Sequence, residues 1–119
     1  MKVVCIKTSI EIPNINVINS DLSEYLTIGE LFQVYGIRID KGIFYGYLFN
    51  GEHLFEAPLE LFKIVDDTVL EQWKVRSWNN QEITFWPNLF YIDGFFEDFA
   101  ERNIEERQMF EKLRVSIET

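Results

Sequence analysis

Through its middle the chain reads in period two, and towards its C-terminus it changes to period three to four. Lys2 to Ile6 is a short apolar run of strand type. Glu11 to Ser20, "EIPNINVINS", is punctuated by Pro13 and three Asn, and predicts a loop or irregular edge. Leu31–Ile39, "LFQVYGIRI", is β-branched and aromatic and predicts one strand, closed by the turn "DKG". Ile43–Phe49, "IFYGYLF", then meets Asn50-Gly51, a strong hairpin signal, with Glu52–Ala57 as the return strand. A two-residue loop there puts Phe49 opposite Glu52 and Leu48 opposite His53. One face then carries Phe44, Leu48, Phe55 and Ala57, a core face. The other carries Tyr45, Tyr47, Phe49 and Leu54, which is too apolar to leave in water.

Pro58 introduces a short turn, and Phe62–Val65 a further strand, closed by "DDT". Gln72–Trp78 and Glu82–Trp86 predict a second hairpin around "NNQ". Parity chooses its loop. Three residues, Asn79 to Gln81, place Val75 opposite Phe85 and Ser77 opposite Ile83, whereas two would set Arg76 against Ile83. The other face then carries Lys74, Arg76, Trp78, Thr84 and Trp86. "APLELF" and "WPNLFY" echo each other as strand-to-turn devices.

Asn103 followed by Glu106 is a capping pattern, and Met109, Phe110, Leu113 and Ile117 behind it form one helical stripe. Before it, "DGFFEDFAER" predicts a shorter helix with Phe95, Phe96 and Phe99 on one side. The stretch Phe85–Phe99 holds seven aromatics in fifteen positions. Its rings Phe90, Phe95, Phe96 and Phe99 suit a lid over the apolar face of Tyr45, Tyr47, Phe49 and Leu54. Trp78, Trp86 and Tyr91 are then the aromatics left near the surface. The expectation is a single domain over 1–119, mainly β (α+β): a small twisted barrel over about 1–86, with a C-terminal helical segment over about 87–119 packed on it.

Charge narrows the function. A net charge of −9 is the wrong sign for nucleic acid or an acidic membrane surface, and it complements a basic protein partner. One cysteine, Cys5, excludes an intrachain disulfide, and its place in "VVCI" predicts a buried thiol. The N-terminus has no signal-peptide pattern and no apolar run reaches membrane-spanning length, so a cytoplasmic protein is expected.

Leu26 to Val65 resembles a Src-homology-3-like barrel. The order is Ile28-Gly29, a strand, a turn, an aromatic strand, the "NGE" hairpin, a Pro-containing 3₁₀-like turn and a last strand. The resemblance implies a fold more than a ligand. Ile43-Phe44 stands where the peptide-binding members carry a Trp-Trp pair, and no "ALYDY" stretch precedes Ile28. Only Pro58 and Phe62 match groove-lining positions.

Catalytic signals are sparse. His53 is the only histidine and reads as a partly exposed strand residue. Asp66-Asp67 reads as a solvated turn pair, the six glycines make no phosphate loop, and no metal, cofactor or catalytic set is expected. Glu97, Glu101 and Glu105 recur at four-residue spacing and would form one acidic stripe on a continuous helix. With Asp98, Trp78, Trp86 and Tyr91 they are the candidate protein-binding residues. The leading expectation is a non-catalytic protein-interaction module of a bacterial type, in the manner of an immunity or antitoxin-like protein masking a basic partner. The alternatives are a small-ligand binder or enzyme with a pocket between barrel and helices, and a structural homodimer joined through Trp78 and Trp86.

Overall fold

The computed structural model describes residues 1–11, 19–79 and 81–118. The chain is mainly β with helices at its C-terminal end, as the change of period predicts. β1 (Lys2–Cys5) lies between β4 (Leu31–Gln33) and β8 (Phe62–Asp66), antiparallel to both. A five-stranded antiparallel sheet runs in the order β7 (Leu54–Pro58), β6 (Ile43–Phe49), β5 (Gly36–Asp40), β10 (Glu82–Trp86), β9 (Lys74–Asn79). β2 (Ser9–Glu11) and β3 (Asn19–Asp21) pair as a small ribbon at the two ends of the expected Glu11–Ser20 loop, most of which lies outside the described residues. The helices are α1 (Phe95–Ala100) and α2 (Ile104–Glu118).

The expected barrel is not formed: the three- and five-stranded sheets are not closed onto each other. The reason lies in the stretch read as one strand, Leu31–Ile39. It is two strands, β4 and β5, in different sheets. At the break the Val34 N–H donates to the Met1 carbonyl on one side, and the Tyr35 N–H to the Tyr47 carbonyl on the other, each at 2.9 Å. The two side chains part likewise, Val34 into one core and Tyr35 into another. Gly36 follows because a Cβ there would stand 3.0 Å from Trp86 Cδ1 and 3.1 Å from Phe90 Cε2.

Two cores result. The first, between the sheets, gathers Val3, Cys5, Phe32 and Phe62 against Ile37, Leu48 and Ala57. The second, on the far face of the five-stranded sheet, gathers Tyr35, Tyr47, Phe90, Phe95, Phe99 and Phe110, with Phe49, Leu54 and Phe96 packed on it. The aromatic run is therefore the lid that the sequence predicts. Burying a ring of this size stabilises by roughly 1.5–3 kcal/mol before entropy is subtracted. Two members of the expected faces stand elsewhere. Phe44 is 51% exposed, beyond the reach of the first core, and Tyr45 stands under Arg38 instead of under the lid.

The first hairpin differs from expectation by two residues. Phe49 pairs with Leu54 and Leu48 with Phe55, so the loop is Asn50–His53. Asn50 Oδ1 accepts from the N–H groups of Glu52 (3.0 Å) and His53 (2.7 Å), and Gly51 takes φ 100° as the first residue of the tight part. Contacts from α2 and the turn before it hold this shape. Arg107 Nη1 donates to the Glu52 carbonyl at 2.6 Å, and Arg102 pairs with the Glu52 carboxylate. The second hairpin has the expected pairs, Val75 with Phe85 and Ser77 with Ile83. Its ladder runs one step further, past a bulge at Trp78 to Asn79 opposite Glu82, so Asn79 belongs to the strand and not to the expected three-residue loop. The two Pro-led echoes are matching 3₁₀ turns, Leu59–Leu61 after Pro58 and Asn88–Tyr91 after Pro87.

Candidate functional site

The lid leaves part of its sheet face bare, and the aromatics expected near the surface gather at its margin. Trp78 of β9, Trp86 of β10 and Tyr91 of the second 3₁₀ turn have ring centroids 4.9–6.3 Å apart. They meet because β9 and β10 pair Arg76 with Thr84 and Lys74 with Trp86, so alternate side chains of both strands share this face. Thr84, only 1% exposed, is the pin. Its Oγ1 accepts from Trp78 Nε1 at 3.0 Å and lies 2.7 Å from the Tyr91 hydroxyl, which donates to the Lys74 carbonyl at 2.8 Å. The Arg76 guanidinium lies 4.1 Å from the Tyr91 ring centroid.

Exposure separates the three rings. Trp78 is 51% exposed. Trp86 is half-buried, edge-on to Tyr47 and Phe96, and its Nε1 is buried without a hydrogen-bond partner among the described residues. Tyr91 is also half-buried. Trp78 is thus the ring with surface to offer, and Trp86 belongs mostly to the second core.

The acidic residues do not form the stripe that their spacing suggests. α1 ends at Ala100, Arg102 takes a left-handed φ of 65°, and α2 begins at Ile104. Glu97 and Asp98 stand in the first turn of α1 and Glu105 and Glu106 in the first turn of α2, where carboxylates oppose the positive end of the helix dipole. Glu101 caps the C-terminus of α1. Desolvation, followed by the charges of Asp98 and Glu105, pushes the Glu106 carboxyl above its ordinary value.

One network was not visible in the sequence. Arg38 of β5 forks onto Glu56 of β7 with two contacts, at 2.7 and 2.8 Å. Its Nη1 reaches Asp40 at 2.9 Å and Glu82 of β10 at 3.1 Å, and its guanidinium stands 4.6 Å from the Tyr45 ring centroid. The hydrogen bonds to Glu56 hold the guanidinium further above its ordinary value than burial lowers it. A lone arginine inside the β-branched "GIRID" was the available signal, but its partners come from strands remote in sequence.

The remaining candidates stand apart. Cys5 is buried in β1, 1% exposed, with Sγ donating to the Lys7 carbonyl at 3.1 Å; burial pushes its thiol up. His53 lies in the hairpin loop, not on a strand, with its ring edge-on to Tyr25. Asp66 Oδ1 accepts from the Thr68 N–H, a local turn. Pro58 and Phe62, the groove positions of the resemblance, are both buried. Among the described residues no three His, Cys, Asp or Glu side chains are grouped to hold a metal ion, and no helix is long and apolar enough to cross a membrane. Comparison with protein-family models, with curated proteins and with solved structures gives no match.

Proposed function

We propose that the chain is a non-catalytic protein-interaction module for a basic protein partner, acting in the cytoplasm as a bacterial immunity or antitoxin-like protein does. The observation that carries this reading is the state of Trp78. Half its ring faces solvent, yet a hydrogen bond to Thr84 and contacts to Trp86 and Tyr91 already fix its position. Pre-ordered, partly exposed tryptophans are the usual anchors of interfaces, because little side-chain entropy remains to be lost on binding. The net charge of −9 supplies attraction to a basic surface. A ligand pocket between sheet and helices is the weaker reading, because Phe90, Phe95, Phe99 and Phe110 fill the centre of that space and leave only open clefts at its margin, beside Phe49, Gly51 and α2. The two-sheet scaffold with its Pro58-led 3₁₀ turn is read as an open variant of the Src-homology-3-like pattern, without its peptide groove.

The test is quantitative capture of cellular proteins on the wild type, Trp78→Ala and the Glu97→Lys/Glu101→Lys double variant, followed by kinetics with whatever basic protein is retained. Trp78→Ala is expected to speed dissociation, and the charge reversal to slow association and flatten its salt dependence. A partner held equally well by all three proteins would overturn the reading.

A further inference from the structure

α2 buries one stripe and turns the opposite one to water. Phe110 is 1% exposed, and Leu113 and Ile117 pack with it on the second core. On the far side stand Ile104, Gln108, Glu111 and Val115, spaced by four, three and four residues. All four are exposed, Ile104 by 74% and Val115 by 55%. Open clefts lie along this stripe, one beside Ile104 and Phe49 and one beside Lys112 and Val115. We propose that α2 packs antiparallel on α2 of a second copy of this chain, across a two-fold axis midway between Gln108 and Glu111.

Charge selects both the occupant and the direction. The four–three–four spacing is that of a coiled-coil seam, which a second helix fills from equivalent positions. Reversed against itself, the stripe sets Ile104 opposite the other copy's Val115 and Gln108 opposite its Glu111. Arg114 Nη1 takes Glu111 Oε2 at 2.9 Å, which leaves Oε1 for the Gln108 amide across the seam. Glu105 and Lys112 stand on one flank of the stripe. In the antiparallel arrangement this flank meets itself reversed, so Glu105 of each copy faces Lys112 of the other. A parallel pair would instead set Arg107 against the other copy's Lys112, two cations. The second flank carries Arg107 and Arg114, and both are engaged within their own chain. Arg107 Nη1 donates to the Glu52 carbonyl at 2.6 Å, and its guanidinium lies 3.8 Å from the Phe99 ring centroid. Arg114 is neutralised by Glu111 and Glu118. A partner surface of one sign would match Glu105 or Lys112 but oppose the other. The reversed copy matches both, which is the self-complementarity that a two-fold interface requires. Two helices of this length bury less than a standard interface, so the dimer is weak.

Sedimentation velocity over a concentration series tests this on the full chain. The wild type is expected to show a monomer–dimer equilibrium with a dissociation constant of about 100 µM. Lys112→Glu, which faces Glu105 of the other copy, is expected to weaken it about tenfold, and Glu105→Lys likewise. Both positions are exposed, so the variants keep the fold. Making both changes in one chain exchanges the two signs and is expected to restore the wild-type constant. An equimolar mixture of the two single variants re-forms both ion pairs across a heterodimer, and is expected to associate where neither variant does alone. A surface that serves a different protein gives neither result. A wild type that remains monomeric at about 500 µM, a Lys112→Glu dimer as tight as the wild type, a double variant no tighter than the single ones, or single variants that ignore each other on mixing overturns the proposal.

Discussion

The hydroxyl oxygens of Thr84 and Tyr91 lie 2.7 Å apart, and one assignment of their protons satisfies every group around them. Tyr91 has a single hydroxyl hydrogen, which goes to the Lys74 carbonyl at 2.8 Å. Thr84 Oγ1 already accepts from Trp78 Nε1, so its own hydrogen points to Tyr91. The chain of donors runs Trp78 to Thr84 to Tyr91 to Lys74. Thr84→Val keeps the shape but strands the Trp78 N–H. It is expected to cost about 1–3 kcal/mol in denaturant melts, and Tyr91→Phe less. The Thr84→Val/Tyr91→Phe double variant is expected to fall short of the sum of the two losses, because both remove one shared bond. Strict additivity would show that the contact contributes nothing.

The lid rings differ in depth, and so does the expected cost of removing them. Phe99 and Phe110 are buried to 2% and 1% exposure, and their rings stand 5.3 Å apart. Phe99→Ala and Phe110→Ala are each expected to lose about 3–5 kcal/mol. Phe96 is only half-buried, stacked on Tyr47 at 5.2 Å, and its alanine variant is expected to lose about half as much. Chemical denaturation of the three variants ranks them; equal losses would mean that the lid has no buried centre.

Why some of this was legible and some was not is clearest at the two hairpins. At Asn50-Gly51 the local signal named a two-residue loop, but the Asn50 carboxamide and Arg107 settled the chain two residues further on. A shift of two preserves parity, so Leu48 and Phe55 still face the first core and Tyr47 and Phe49 the second. In the second hairpin the apolar pairs themselves chose the register, and the Val75–Phe85 pairing followed. Faces were therefore readable where loop lengths were not. The division of Leu31–Ile39 was hidden, because Val34 and Tyr35 are both good strand residues and only tertiary pairing assigns them to different sheets. The aromatic surface at Trp78 was visible as an excess of rings beyond what one core holds. The acidic stripe failed at Arg102, whose left-handed backbone lacks the glycine that usually announces such a stop.

Arg38 ties β5 to β7 and β10 across the face of β6, and among the described residues it is the one cation paired with Asp40, Glu56 and Glu82. Arg38→Met keeps the stem but leaves Asp40, Glu56 and Glu82 facing one another. The expected loss is about 2–3 kcal/mol at neutral pH, below the cost of breaking a fully buried pair because these groups are partly solvated. Part of that loss is expected to return when Glu56→Gln is added to Arg38→Met, because one of the uncompensated charges is then gone. Denaturant melts of the single and double variants test it, and a double variant no more stable than Arg38→Met would mean that Arg38 acts through packing alone.

Tyr47 makes the alkaline limit of stability. Its ring lies in the second core, and desolvation pushes its hydroxyl well above the ordinary tyrosine value, with the charge of Glu56 adding to the effect. Burial raises Tyr35 in the same direction. The sign follows from proton counts. Above the unfolded-state value near pH 10, the unfolded chain has lost these protons while the folded chain keeps them, so each further rise in pH favours unfolding. Below that value the two states bind equally and the term vanishes. Stability is therefore expected to be flat in this term up to about pH 9.5 and to fall beyond about pH 10. Tyr47→Phe is expected to leave stability at neutral pH nearly unchanged and to make the alkaline fall shallower. Denaturant midpoints from about pH 8 to pH 11, read beside tyrosinate absorbance, test both. An unchanged alkaline slope in Tyr47→Phe would mean that the fall belongs to other groups and that this hydroxyl titrates as if in water.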